Sequence, residues 1–418
     1  FIEGSPSSSP WVISVAAVSD DDPETAAELG ITMIPDALAE FSSRGPSQEG
    51  AGYVLKPDVA APGLAIYGAN AWPYLENSLG VYLSGTSMAS PHVAGLAALL
   101  REKYPEWSVP EIKAAIVNSA VHDVYRSIDG AFARCAPSRV GAGRIDVERA
   151  MTLPALAYNA ARPEVTGLTF ASFEVTDRVE ETQKVLVRNV SDAPVTFDAV
   201  VDALVASPGV TVRLDAPGTG PIAPGETAEV AVTLEADARD MRRAAPSDQS
   251  ATQIGQPRSW FSTVEGNIEF RGQLDDTLLR VPYFAALRPV AAMAAASNAL
   301  DLSHGNYGSL PLHGRGLGSK TSGADEWVSL ASPSELVWFN PQATGGDLKY
   351  VGITNNYRES NRVVAETELT FALAAAEPWT RPTERYYIVR IDTNFDNVPD
   401  ISVFNHMYWD GKSDFVAN

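Results

Sequence analysis

Cysteine is almost missing from this 418-residue chain, with Cys135 standing alone. No internal disulfide can form, and a lone thiol without a motif reads as a structural side chain. Basic residues are also scarce. Lys and Arg number 31 against 52 Asp and Glu, giving a net charge of −21. Such an excess argues against nucleic acid or an anionic membrane as partner and keeps a protein soluble. No apolar run reaches membrane-span length, and the alanine-rich stretch 285–296 is broken by Arg288 and Pro289. No secretion signal is visible. The chain begins at Phe1 without an initiator Met, which reads as a processed or cut product.

What is present suffices for sizeable cores. Hydrophobic residues make up 45%, and the length predicts about two to four domains. Residues 1–157 mix apolar strands with helices. Pro10 to Val18 is nearly all apolar, as a parallel strand covered on both faces requires. Residues 55–63 predict a short strand leaving through a Pro-Gly turn. Residues 87–103 predict a helix with Val93, Leu96, Leu99 and Leu100 on its apolar face. A second helix starts at Ser108, which has capping-box spacing to Glu111, with Pro110 tolerated in the first turn.

From about residue 160 alternation replaces the helical period. Segments 184–188, 194–197, 209–214, 228–234, 266–270 and 278–284 predict a β-sandwich over 158–290. Residues 291–418 begin with a small-residue linker and read as a further β-rich domain, one that the chain's end leaves open.

One segment carries chemistry: Gly85-Thr86-Ser87-Met88-Ala89-Ser90-Pro91-His92-Val93-Ala94-Gly95. A serine hydroxyl needs a base beside it and charge stabilisation ahead of it. Here Gly85 and Thr86 form a tight loop and Ser87 opens a helix. The helix N-terminus directs free N–H groups and partial positive charge at a reacting carbon, with the Ser87 N–H as one oxyanion donor. Gly-x-Ser alone would mark no more than the start of a buried helix. The eleven residues together resemble the nucleophile segment of subtilisin-like serine proteases, the subtilases. Phe41 to Ser47, Leu55 to Gly63, Trp11 to Ala17 and Gly141 to Asp146 are similar to other subtilase segments, in the family's order.

The resemblance implies an α/β fold. Residues 1–157 would be the C-terminal half of a subtilase catalytic domain, a parallel sheet flanked by helices, followed by two β-sandwich-like domains. It implies Ser87 as the nucleophile, and Gly4, Gly85 and Thr86 at the substrate site, with a cis Ser5–Pro6 bond beside the primary specificity pocket. It also implies a secreted or extracellular endopeptidase.

The family's other catalytic motifs, D-[ST]-G and H-G-T-H, occur nowhere in the chain. The oxyanion asparagine would fall just upstream of Phe1. His92, five residues after Ser87, points away from the hydroxyl and is expected to be buried and hydrogen-bonded. His122, His304, His313 and His406 lack the base's motif. Asp58, within Lys-Pro-Asp, reads as a structural turn. The expected partner is therefore an N-terminal polypeptide carrying the Asp, His and Asn. The rivals are a catalytically dead scaffold and a surface-binding protein.

Residues 266–270, 280–284 and 287–289 resemble the fibronectin-III-like domain that follows the protease domain in large secreted subtilases. Asn189-Val190-Ser191 is a glycosylation sequon. Oxygen-bearing residues alternate at Asp392, Asn394 and Asp396, with Asp400 beyond. With the Val398 carbonyl they form the first part of a calcium loop. Position twelve is Val403 instead of Glu, so the loop departs from a full EF-hand and is expected to hold a structural calcium.

Overall fold

The computed structural model describes residues 6–20, 22–47, 54–70, 78–128, 131–175, 177–241 and 262–289. It also describes shorter segments at 252–253, 256–257, 292–295, 312–315, 335–339, 348–355, 369–375, 387–391, 401–407 and 413–417.

β1 (Val15–Val18) runs parallel to β2 (Val59–Pro62), with Val15 opposite Val59. β1 is shorter than the apolar run from Pro10 predicts. The reason is electrostatic. Lys113 Nζ donates to the Pro10 and Val12 carbonyls at 3.0 and 3.1 Å, and Lys56 Nζ donates to Val12 at 2.8 Å. Ammonium groups take the carbonyls that a neighbouring strand would use, so 10–14 is a loop.

α1 (Pro23–Leu29) follows, capped by the Asp22 carboxylate on the Thr25 N–H. β3 (Ile66–Ala69) and β4 (Gly80–Leu83) form a hairpin. α2 (Thr86–Lys103) buries Ala89, Val93, Leu96 and Leu100. These recur every three or four residues, which puts them on one stripe against β1 and β2. Leu99, predicted on that stripe, is 44% exposed.

α3 (Val109–Ser119) starts as its capping spacing predicts. The Ser108 N–H and Oγ–H both donate to Glu111 Oε2 at 2.7 Å. Every residue from Ile112 to Ser119 is buried. The hairpin β5 (Tyr125–Ile128) and β6 (Ala131–Arg134) and the short helices α4 (Pro137–Val140) and α5 (Val147–Thr152) complete this part.

Two sheets follow. The first orders β11 (Val210–Leu214), β13 (Thr227–Asp237), β9 (Arg178–Asn189) and β7 (Ala155–Asn159). Residue 157, where the sequence places a boundary, lies inside β7. The second orders β12 (Gly218–Ile222), β10 (Val195–Val205), β16 (Ser262–Gly272), β17 (Leu278–Pro289) and β8 (Leu168–Val175). Between β13 and β16 in sequence is a small ladder of β14 (Thr252–Gln253) and β15 (Gln256–Pro257).

β16 alternates as a half-buried strand should, yet both of its faces are covered. Val264, Ile268 and Phe270 join Val185, Val187, Val230 and Val232 in one core, which also contains Leu96 and Ile116. The opposite face carries Glu265, Asn267 and Glu269, paired with Phe284, Pro282 and Arg280 of β17. These three polar residues are only 0%, 2% and 4% exposed. Glu265 lies against the first 150 residues directly, and Glu269 reaches them through Arg280. Leu55 packs with Phe284 and Ala286. Glu265 pairs with Arg44 at 3.2 Å and accepts the Ser138 N–H at 2.9 Å. Arg280 pairs with Asp123 at 2.8 Å and with Glu269 at 3.1 Å. The β strands are therefore continuous in packing with the helices.

Further along, Glu335–Phe339, Leu348–Asn355 and Leu369–Ala375 form one antiparallel sheet. Ile388–Ile391, Ile401–Met407 and Ser413–Ala417 form another.

Candidate active site

Ser87 is the second residue of α2 and is exposed. Gly85 occupies the N-cap position, and its carbonyl accepts the Met88 and Ala89 N–H groups at 3.0 and 3.3 Å. The N–H groups of Thr86 and Ser87 thus lie ahead of the first intrahelical bonds, where they are available to an incoming oxyanion. No acidic residue sits in the first turn to offset the positive end of the helix dipole. The loop in front is held by main-chain contacts, with the Gly85 N–H donating to the Gly63 carbonyl at 2.8 Å. Ala65 N–H donates to Ser84 Oγ at 2.9 Å.

His92 corrects the sequence expectation. Its Nδ1–H does donate to the Met88 carbonyl at 2.9 Å, but the ring is exposed. The helix period puts it at the edge of the buried stripe, three residues after Ala89 and four before Leu96, where solvent reaches the ring. His122 is also engaged structurally, with Nε2 on Asp146 Oδ2 at 2.8 Å, and Asp146 caps α5. Burial tends to raise the Asp146 carboxyl, yet the Arg149 N–H and His122 hold it below the usual aspartate value.

Asp58 is a buried hub. Its carboxylate meets Lys56 Nζ at 2.6 Å and Lys113 Nζ at 2.8 Å, and it accepts the Ser14 N–H at 2.8 Å. Burial pushes its pKa up, but the Lys113 and Lys56 ammoniums outweigh that and hold it below the ordinary range. Burial lowers Lys56 against the pull of Asp58. This is a structural cluster that ties the loop 10–14 to α3. Sequence reading placed Asp58 outside the triad but missed Lys56 and Lys113. The available signal was a lysine inside the otherwise apolar run Ile112 to Val117.

Asn189, the sequon asparagine, is fully buried. Its amide donates to the Ala193 and Ile222 carbonyls at 2.8 and 2.9 Å, and its Oδ1 accepts the Ser191 N–H at 2.8 Å. The residue is a turn anchor with no amide hydrogen left for a glycan.

Of the remaining expected site residues, Gly85 and Thr86 flank Ser87 as described. Gly4, the Ser5–Pro6 bond and the oxygen set Asp392, Asn394, Asp396, Val398 and Asp400 lie outside the described residues. Among the described residues no group of three or more His, Cys, Asp or Glu side chains is arranged to hold a metal ion. No helix among them is long and apolar enough to cross a membrane.

Residues 2–149 match the subtilase family, peptidase S8. The subtilisin-like protease SBT1.2 of Arabidopsis thaliana is 36% identical over 145 residues, covering 31% of this chain and 18% of that protein. The minor extracellular protease Vpr of Bacillus subtilis is 38% identical over 109 residues, covering 26% of this chain and 13% of that protein. The chain thus spans less than a fifth of the length of these relatives. A crystal structure of tripeptidyl peptidase 2 covers 70% of this chain and 21% of its own, at 16% identity and a TM-score of 0.31.

Proposed function

We propose, from the subtilase match of residues 2–149, that the chain supplies the nucleophile of a secreted subtilisin-like serine endopeptidase. The observation that carries this is the exposed Ser87 hydroxyl on the first turn of α2, beside helix N–H groups that precede the intrahelical bonds. In the proposed reaction Ser87 Oγ attacks the scissile carbonyl carbon and gives its proton to a histidine. The oxyanion forms at the Ser87 N–H. The C–N bond then breaks, the amine leaves with that proton, and water hydrolyses the resulting ester. Gly4, Gly85 and Thr86 would line the substrate site.

The histidine, aspartate and oxyanion asparagine would come from an N-terminal polypeptide. One feature of α2 supports such a neighbour. Pro91, Ala94, Gly95 and Ala98 are exposed, so small, apolar positions of this helix face outward. The residues after 157 would contribute stability, with a fibronectin-III-like role for 158–290 and a structural calcium at Asp392 to Asp400.

The decisive test is fluorophosphonate labelling of the chain purified together with the N-terminal polypeptide that carries the histidine, aspartate and asparagine. Labelling at Ser87, lost in Ser87→Ala with an unchanged melting temperature, is the expected result. A correctly folded assembly of the two that is labelled elsewhere or not at all would sink the reading and favour the catalytically dead scaffold. For calcium, calorimetric uptake that disappears in Asp396→Ala is expected; no uptake, or uptake unaffected by the substitution, rejects the site.

A further inference from the structure

The turn after β2 touches the nucleophile segment more closely than any side chain would allow. The Gly63 N–H donates to the Val18 carbonyl of β1 at 2.9 Å, and the Gly63 carbonyl accepts the Gly85 N–H at 2.8 Å. One residue thus links the end of β1 to the residue that caps α2. Two positions on, Ala65 adopts the left-handed region at φ 54 and donates to Ser84, the residue before Gly85.

A Cβ built on Gly63 would lie 2.7 Å from Ala17 Cβ, 2.8 Å from the Gly85 carbonyl oxygen and 3.2 Å from Ala89 Cβ. All three are below ordinary van der Waals contact. Ala17 belongs to β1 and the core. Gly85 and Ala89 stand on either side of Ser87, two residues before it and two after. A side chain at 63 therefore has two routes of relief, one into the core and one into the segment that holds the serine.

We propose that Gly63 is a positioning residue for Ser87. Its bare Cα fixes how closely the first turn of α2 approaches the end of β1, and so where the Ser87 hydroxyl and N–H stand. The catalytic half of this inference rests on the reading of Ser87 as nucleophile. The geometric half does not.

The test is a cycle of Gly63→Ala, Ala17→Gly and both together, in the chain assembled with the N-terminal polypeptide that supplies the histidine. Ala17→Gly removes the core contact and leaves those with Gly85 and Ala89. The expected result is that the double variant melts higher than the two single losses predict by addition, because the Ala17 clash is gone. Amide exchange over 84–90 stays faster than wild type by roughly tenfold in both variants that include Gly63→Ala. Fluorophosphonate labelling of Ser87 stays slowed by roughly ten- to a hundredfold, the cost of a sub-ångström misplacement, in the rate constant of the covalent step and not in reversible binding of the probe. Restoration of exchange and labelling together with the melting temperature would overturn the proposal and leave Gly63 as core packing only. Exchange unaltered by Gly63→Ala would overturn it as well. If the wild-type serine is never labelled even with the N-terminal polypeptide present, the protease reading fails, while the exchange data still decide the positioning of the loop.

Discussion

The Asn118 side chain pairs with Ala157 as an adjacent strand would. Its Nδ2 donates to the Ala157 carbonyl at 2.8 Å, and its Oδ1 accepts the Ala157 N–H at 2.7 Å. The second amide hydrogen goes to the Arg280 carbonyl at 2.9 Å. One buried carboxamide on α3 thus completes β7 in one sheet and grips β17 in the other. It ties the helices of the segment that matches the subtilase family to both sheets that follow.

Replacing Asn118 by Ala should therefore cost more than a typical surface change. Two carbonyls and one N–H would be left buried and unpaired, at a combined cost of about 2–4 kcal/mol. Urea denaturation of the variant measures it. A loss under about 1 kcal/mol would mean that water replaces the carboxamide and that the sheets are held otherwise.

Glu265 makes a second joint, from β16 to Arg44, the Ser138 N–H and Thr263. Its carboxylate is fully buried, while the Arg44 side chain is 15% exposed. Removing one partner of such a pair leaves a desolvated charge, so Glu265→Ala is expected to destabilise by about 3–5 kcal/mol. Arg44→Met should be strongly non-additive with it in a double-mutant cycle, because both remove the same contact. Additive losses would show that β16 does not dock on this surface in solution.

The Asp58 cluster predicts a specific acid response. The carboxyl lies below its ordinary value of 3.8 in the folded protein because two ammoniums outweigh its burial. The unfolded chain then takes up the proton first as pH falls. The contribution is fully present above the unfolded value and is lost as pH drops through the folded one. Asp58→Asn should flatten the fall of stability below about pH 4, while lowering stability at neutral pH because Lys56 and Lys113 lose their counter-charge. Denaturation midpoints between pH 2 and 7 would show whether the slope changes (roughly one proton per molecule).

Asn189 should carry no glycan when the chain is made in a glycosylating host, provided that folding precedes modification. Intact mass measurement checks this. Asn189→Ala should destabilise by about 2–3 kcal/mol, since the 189–193 turn and the end of β12 lose their shared anchor. A glycan on most molecules would contradict the buried geometry.

Local chemistry explains what can be read ahead of the structure. The start of α3 follows from Ser108 and Glu111, three residues apart, because a capping box is a contact between near neighbours. The strands over 184–188, 228–234 and 266–270 are visible for the same reason, since alternation is a period of two. All three lie inside longer strands, β9, β13 and β16. His92 marks the limit of such reading. A helix period places its ring on a side, but says nothing of whether anything covers that side.

Local pattern alone marked the segment that matches the subtilase family. Gly85 to Gly95 placed Ser87 at a helix start. Only the tertiary structure decided that Glu265, Asn267 and Glu269 are buried and that Lys56, Asp58 and Lys113 form one cluster. It alone showed that Gly63 leaves no room beside Gly85. Period-two alternation identifies two faces of a strand; whether the second meets solvent depends on chain folded back from far away. Ser138 and Arg44 reach Glu265 across 127 and 221 residues of sequence. No local pattern records contacts at that separation, because their energy appears only when packing has already brought the segments together.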